Sequence, residues 1–121
     1  MTVLLEYLLF ESTDEESGAC SFDAMASVLP ARVPELLREV EAVLNWACRE
    51  FGEPSAVQEN GEWDFELQAV GEHDAPLKIA YDLARQRVDV AQSPGRVTIA
   101  LTVTGSPAFG TAFRDHFPES D

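Results

Sequence analysis

From Val33 to Phe51 the apolar residues Val33, Leu36, Leu37, Val40, Leu44, Ala47 and Phe51 recur at steps of three and four. That spacing lines one face of a helix with about 3.6 residues per turn. Pro34 suits its first turn, Glu35 suits the positive end of the helix dipole, and Gly52 with Pro54 stops it. A helix with one apolar stripe cannot bury that stripe by itself, so the remaining chain has to supply a layer that receives it.

The remaining chain reads as strands. Val97, Ile99, Leu101 and Val103 alternate with Thr98, Ala100, Thr102 and Thr104, a period of two that marks a half-buried strand. Glu62 to Val70 places Trp63, Phe65, Leu67 and Ala69 on one face, and Cys20 to Val28 also alternates. Over Leu77 to Val88 a short helix capped by Asp74 competes with a strand or bent hairpin. Ile79, Tyr81, Val88 and Val90 favour the strand reading.

Residues 2–10 (TVLLEYLLF) are read as a strand with two apolar faces, and residues 11–19 (ESTDEESGA) as the acidic tip of a hairpin leading into Cys20–Val28. A turn is expected at Asn60-Gly61. Ser106 as N-cap, Pro107 in the first turn and Phe109, Phe113 and Phe117 at four-residue steps predict a second helix, ended by Pro118.

The resulting order, β-β-α-β-β(-β)-β-α, predicts an α+β fold: a mostly antiparallel sheet with two helices packed on one face and water on the other. At 121 residues the chain is long enough for one hydrophobic core and is expected to form a single domain over 1–121.

Composition matters through charge. Twenty-two acids against eight Lys and Arg give −14, and thirteen of those fourteen excess charges lie in residues 1–31 and 53–76, which contain no Lys or Arg. Such a field disfavours nucleic acid and anionic membrane and favours a basic protein partner. No apolar run reaches the ~20 residues of a membrane span, and the N-terminus lacks a basic signal-peptide region. Cys20 and Cys48 are too few for a disulfide framework, so a cytoplasmic protein with reduced thiols is expected.

Candidate binding residues follow from that map. Asp14, Glu15 and Glu16 sit on the acidic tip, and Glu62, Asp64 and Glu66 share the outward parity of their strand. Trp46 falls roughly 60° outside the helix stripe and is the exposed aromatic to expect at an interface. Lys78, Arg87 and Arg96 are the basic residues available to pair with the strand acids.

Carboxylates in a line on a flat strand do not converge, so no metal is expected there, and no motif calls for a cofactor. Glu72-His73-Asp74 is the one loop where a histidine has carboxylate neighbours, and Cys48 is the thiol nearest a helix flank. Leu4, Leu8 and Phe10 would leave an apolar strip on the wet face of the sheet, to be covered by a second copy, a partner, or the 53–61 loop.

Three functions are therefore in play. A non-enzymatic module that meets a basic partner through the acidic residues leads, because charge is polarised and no catalytic signature is present. A homodimer through the Leu4, Leu8 and Phe10 strip, and a small enzyme with a carboxylate or His73 as base, are the alternatives.

Overall fold

The computed structural model describes residues 4–55 and 61–118. Along the chain run β1 (Glu11–Asp14), β2 (Cys20–Val28), α1 (Val33–Phe51), β3 (Trp63–Val70), β4 (Pro76–Leu77), β5 (Ile79–Asp82), β6 (Arg87–Val90), β7 (Val97–Gly105) and α2 (Pro107–His116). The class is α+β. Five strands form one sheet in the order β1-β2-β7-β3-β4, with every pairing antiparallel, and β5 and β6 form a separate two-stranded ladder.

β7 is central: it alternates cleanly over nine residues and pairs along both edges. Phe22 and Phe65 flank its Val103, and Ala26 and Ala69 flank its Ile99. Val97, Ile99, Leu101 and Val103 are buried under the helices, as are Phe22, Ala24, Ala26 and Val28 on β2. The opposite parity, Thr98, Thr102 and Thr104, stays at the surface.

α1 lies over this floor, burying Leu36, Val40, Val43, Leu44 and Ala47. It ends where Gly52 takes φ 83 and its N–H donates to the Cys48 carbonyl at 2.9 Å, a left-handed position open to glycine without penalty. Ser106 caps α2 as expected, its Oγ accepting the Phe109 N–H at 3.2 Å. Phe109, Phe113 and Phe117 all enter the core, where Phe22 stacks on Phe113 at 4.2 Å and Trp63 lies parallel to Phe109 at 5.9 Å.

α2 crosses β2 at Gly110, where an added Cβ would lie 2.4 Å from Cys20 Sγ. Gly110→Ala is therefore expected to cost about 1–3 kcal/mol through overpacking. Adding Cys20→Ala should recover part of the loss, because it removes the sulfur and leaves only the Cys20 Cβ at 3.0 Å. Urea unfolding of the two single variants and the double variant measures this. Additive losses would mean that the crossing relaxes elsewhere.

The segment Leu77–Val88 is extended and bent as a hairpin, not helical, and the hairpin leaves the sheet after Lys78. β5 and β6 fold against the flank of α1: the Val88 N–H donates to Glu41 Oε2 at 2.9 Å, and Tyr81 Oη donates to Asn45 Oδ1 at 2.5 Å. Asn45 Nδ2 in turn reaches the Gln86 carbonyl at 3.2 Å.

Residues 4–10 are not a strand, which corrects the expectation for 2–10. They form a strap along the other flank of α1. The N–H groups of Glu6, Tyr7 and Leu8 donate to the Glu39 carboxylate at 2.7–3.2 Å, and Tyr7 Oη donates to Glu35 Oε2 at 2.6 Å. An irregular segment needs acceptors for its N–H groups, and Glu39 replaces the neighbouring strand that a ladder would have provided.

The first strand is instead the polar segment Glu11–Asp14, paired in register with Cys20–Asp23 across a turn in which Gly18 donates to the Glu15 carbonyl. The turn expected at Asn60-Gly61 and most of the 53–61 loop fall outside the described residues.

Candidate functional site

The parity that turns β2 and β7 apolar toward the helices turns their other side chains onto an open sheet face. Register places residues of four strands there in straight rows. One row runs Glu11, Asp23, Thr102, Glu66, and the next runs Thr13, Ser21, Thr104, Asp64. With strands about 4.8 Å apart, Glu11 and Glu66 are separated by roughly 14 Å.

Thr102 Oγ1 donates to Asp23 Oδ1 at 2.7 Å, which fixes that carboxylate against the central strand. On the other side of the first row, Met25 and Ala100 lie opposite each other, and Met25 is 69% exposed. The face is thus an apolar centre beside a row of carboxylates and hydroxyls.

The acids singled out in the sequence separate into two groups. Glu15 and Glu16 are exposed in the β1–β2 turn, at the same end of the sheet as Asp64. Glu66 is exposed, and Asp64 accepts the N–H of Phe65 next to it. Glu62 and Asp14 have structural partners. Glu62 Oε2 accepts the Ser106 hydroxyl at 2.7 Å, steadying the cap of α2, and Asp14 Oδ1 accepts from Arg114 Nη2 at 2.7 Å. The Arg114 guanidinium beside it holds the Asp14 carboxyl below the usual carboxylate range. Glu35 is likewise held low, first by the Tyr7 hydroxyl and further by Arg32.

Trp46 is corrected outright, since it is only 4% exposed. α2 packs beside α1, and Phe109, Phe113 and Phe117 surround the indole with ring centroids at 5.4–5.9 Å. The proposed apolar strip does not form either. Leu8 is 2% exposed, and Phe10 is half-buried with its edge on Phe113 at 5.1 Å, so the chain itself buries the first and partly covers the second. Leu4 remains exposed.

The expected basic partners of the β3 acids also fall elsewhere. Arg87 is on β6, outside this sheet, Lys78 follows β4, and Arg96 Nη1 donates to the Ser27 carbonyl at 3.1 Å. Among the described residues the ion pairs are Arg32–Glu35 and Arg114–Asp14, so Glu11, Asp23, Asp64 and Glu66 face no Lys or Arg within bonding distance.

Asp23 and Met25 were missed as surface residues, and Glu11 was expected on the acidic tip and not in a row of the sheet. The alternation of Cys20–Val28 carried the signal for Asp23 and Met25. Glu11 could be assigned only once its strand was known.

His73 and Asp74 adopt left-handed backbone, φ 59 and 57, in an exposed turn closed by the Gly71 N–H on the Ala75 carbonyl. Neither lines any of the three cavities described, of about 360, 300 and 280 Å³. Cys48 Sγ lies 3.7 Å from Tyr81 Oη, and burial raises the pKa of that tyrosine. Burial also pushes the Cys20 thiol up. Among the described residues no three His, Cys, Asp or Glu converge where a metal ion could sit, and no helix is long and apolar enough to cross a membrane.

Fold and surface together define a two-layer α+β protein with an open, carboxylate-bearing sheet face. Comparison with protein-family models, curated proteins and solved structures finds no match.

Proposed function

We propose that this protein is a non-enzymatic binding or regulatory module that receives a basic protein surface on its open sheet face. The observation that carries the reading is the row Glu11, Asp23, Thr102, Glu66 beside exposed Met25, with no Lys or Arg among the described residues ion-paired to those acids. Apolar contact at the centre with charge around it suits association that is electrostatically steered and then desolvated. A flat sheet gives the row rigidity, so little conformational entropy is lost on contact.

The homodimer is less well supported, since Leu8 is already buried and Phe10 half-buried against Phe113. Symmetric pairing of the open face would also set like charges against each other.

The test is a comparison of association rates. A partner is first captured from native lysate at low salt. Its association is then measured with wild type, with Asp23→Lys/Asp64→Lys/Glu66→Lys, and with Asp89→Lys as a control for charge away from the face. The triple reversal is expected to slow association by about tenfold or more and to flatten its salt dependence, while Asp89→Lys has little effect. Equal slowing by both variants, or by neither, sinks the reading.

A further inference from the structure

The two edges of the five-stranded sheet differ. At the β4 end, Pro76 has no N–H to donate, and the chain turns at once into the β5–β6 hairpin. At the other end β1 is the outermost strand among the described residues. All four of its residues are exposed, and its register with β2 runs without a bulge. Resting on the reading of the open face as a receiver of basic protein, we propose that the partner enters as an extended basic strand added to the outer edge of β1.

Backbone parity defines that edge. The Glu15 N–H donates to the Ala19 carbonyl at 2.9 Å, one step beyond the Asp14–Cys20 pair. Bonded and non-bonded pairs alternate along an antiparallel ladder, so Glu11 and Thr13 turn their N–H and C=O groups toward β2, whereas Ser12 and Asp14 turn theirs outward. Each of these two residues offers one donor and one acceptor on a strand that is already extended, which is what β-strand addition requires.

Charge decides between occupants. A second copy of β1 would set Glu11 and Asp14 against acidic residues of the same strand and is repelled. A basic strand is attracted. Its open-face side chains extend the row of Glu66, Thr102, Asp23 and Glu11 by one position, and continue past Thr13 toward the turn that carries exposed Glu15 and Glu16. Its other side chains lie on the side of Ser12 and Asp14. Ser12 shares a cavity of about 300 Å³ with half-buried Phe10 and exposed Pro118, and the Asp14 carboxylate is already held by Arg114. The sequence that fits is therefore basic at every second position, with an apolar residue beside Ser12 and a neutral one beside Asp14.

The probe is the peptide acetyl-Lys-Thr-Lys-Val-Lys-amide, which in antiparallel register sets valine beside Ser12, threonine beside Asp14 and its last lysine opposite Glu11. Two further versions carry backbone N-methyl groups, one on threonine and valine, the other on the lysines. Charge is then constant and only the edge able to pair differs. Saturable NMR shifts are expected at the amides of residues 11–16, with slowed hydrogen exchange at Ser12 and Asp14. Methylation of threonine and valine should weaken binding about tenfold or more, while methylation of the lysines leaves it near that of the parent. The reverse order supports strand addition in the parallel sense, in which the lysine N–H groups face β1. Ser12→Pro removes one outward N–H and no bond to β2, and should weaken the parent peptide about fivefold or more, whereas Ser12→Ala should not. Equal binding of all three peptides, unchanged affinity in Ser12→Pro, or no saturation by the parent overturns strand addition. The association-rate comparison of the charge-reversal variant then decides the sheet-face reading separately.

Discussion

Phe113→Ala is expected to lower the unfolding free energy by about 3–5 kcal/mol, a large share of the roughly 5–15 kcal/mol that holds a typical domain together. Phe113 is 1% exposed and has five other rings against it. Phe22 stacks on it at 4.2 Å, Phe10 and Phe117 approach at 5.1 Å, and Trp46 and Phe109 approach at 5.9 Å. These rings come from the strap, β2, α1, α2 and the residue that caps α2, so a hole at Phe113 cannot be closed by moving one element. Phe113→Leu keeps most of the volume and should cost less than half as much. The urea midpoint of both variants measures this. A loss below about 1 kcal/mol for the alanine variant would show that the cluster collapses into the space.

Glu39→Ala comes second. The Glu39 carboxylate is the acceptor for three consecutive N–H groups, those of Glu6, Tyr7 and Leu8, and Leu8 is the strap's anchor in the core. Charge-assisted bonds of this kind contribute more than neutral ones. Partial exposure discounts them, so a loss of about 2–3 kcal/mol is expected. Glu39→Gln retains one acceptor oxygen but turns an amide N–H₂ toward the strap, and should fall between wild type and alanine.

Hydrogen exchange separates a local effect from a global one. In Glu39→Ala the amides of residues 6–8 should lose protection well before those of β7. Uniform loss across the strap and β7 would mean that the strap is part of the global unfolding unit.

These two residues also mark where sequence reading succeeded and where it stopped. The phenylalanine comb of α2 was legible because four-residue spacing is a local property, and so was the α1 stripe. Trp46 was not. Its angle on the helix was read correctly, but a second helix lying alongside widened the buried arc of α1 to include it.

The strap failed for a related reason. Its leucines do seek burial, but the acceptor that releases it from strand pairing is Glu39, more than thirty residues away. The polar segment Glu11–Asp14 is a strand although all four residues are exposed, because an edge strand is held by backbone pairing and not by side-chain burial. The candidate surface divides in the same way. Parity along β3 identified Asp64 and Glu66 as outward. Yet Glu62 was engaged by Ser106 and Asp14 by Arg114, partners 44 and 100 residues distant.

By itself the sequence determined the α+β class, both helices and their caps, the parity of β2, β3 and β7, and the concentration of acid in two stretches. Each of these follows from periodicity, backbone preference or charge count over a few neighbouring residues. Only the tertiary structure decided that β7 lies between β2 and β3 and that Glu11 and Asp23 stand in line with Glu66. It also decided that β1 lies outermost in the sheet. Those juxtapositions depend on strand order and register, which are set by how separate apolar faces fit together and leave no mark on any local pattern.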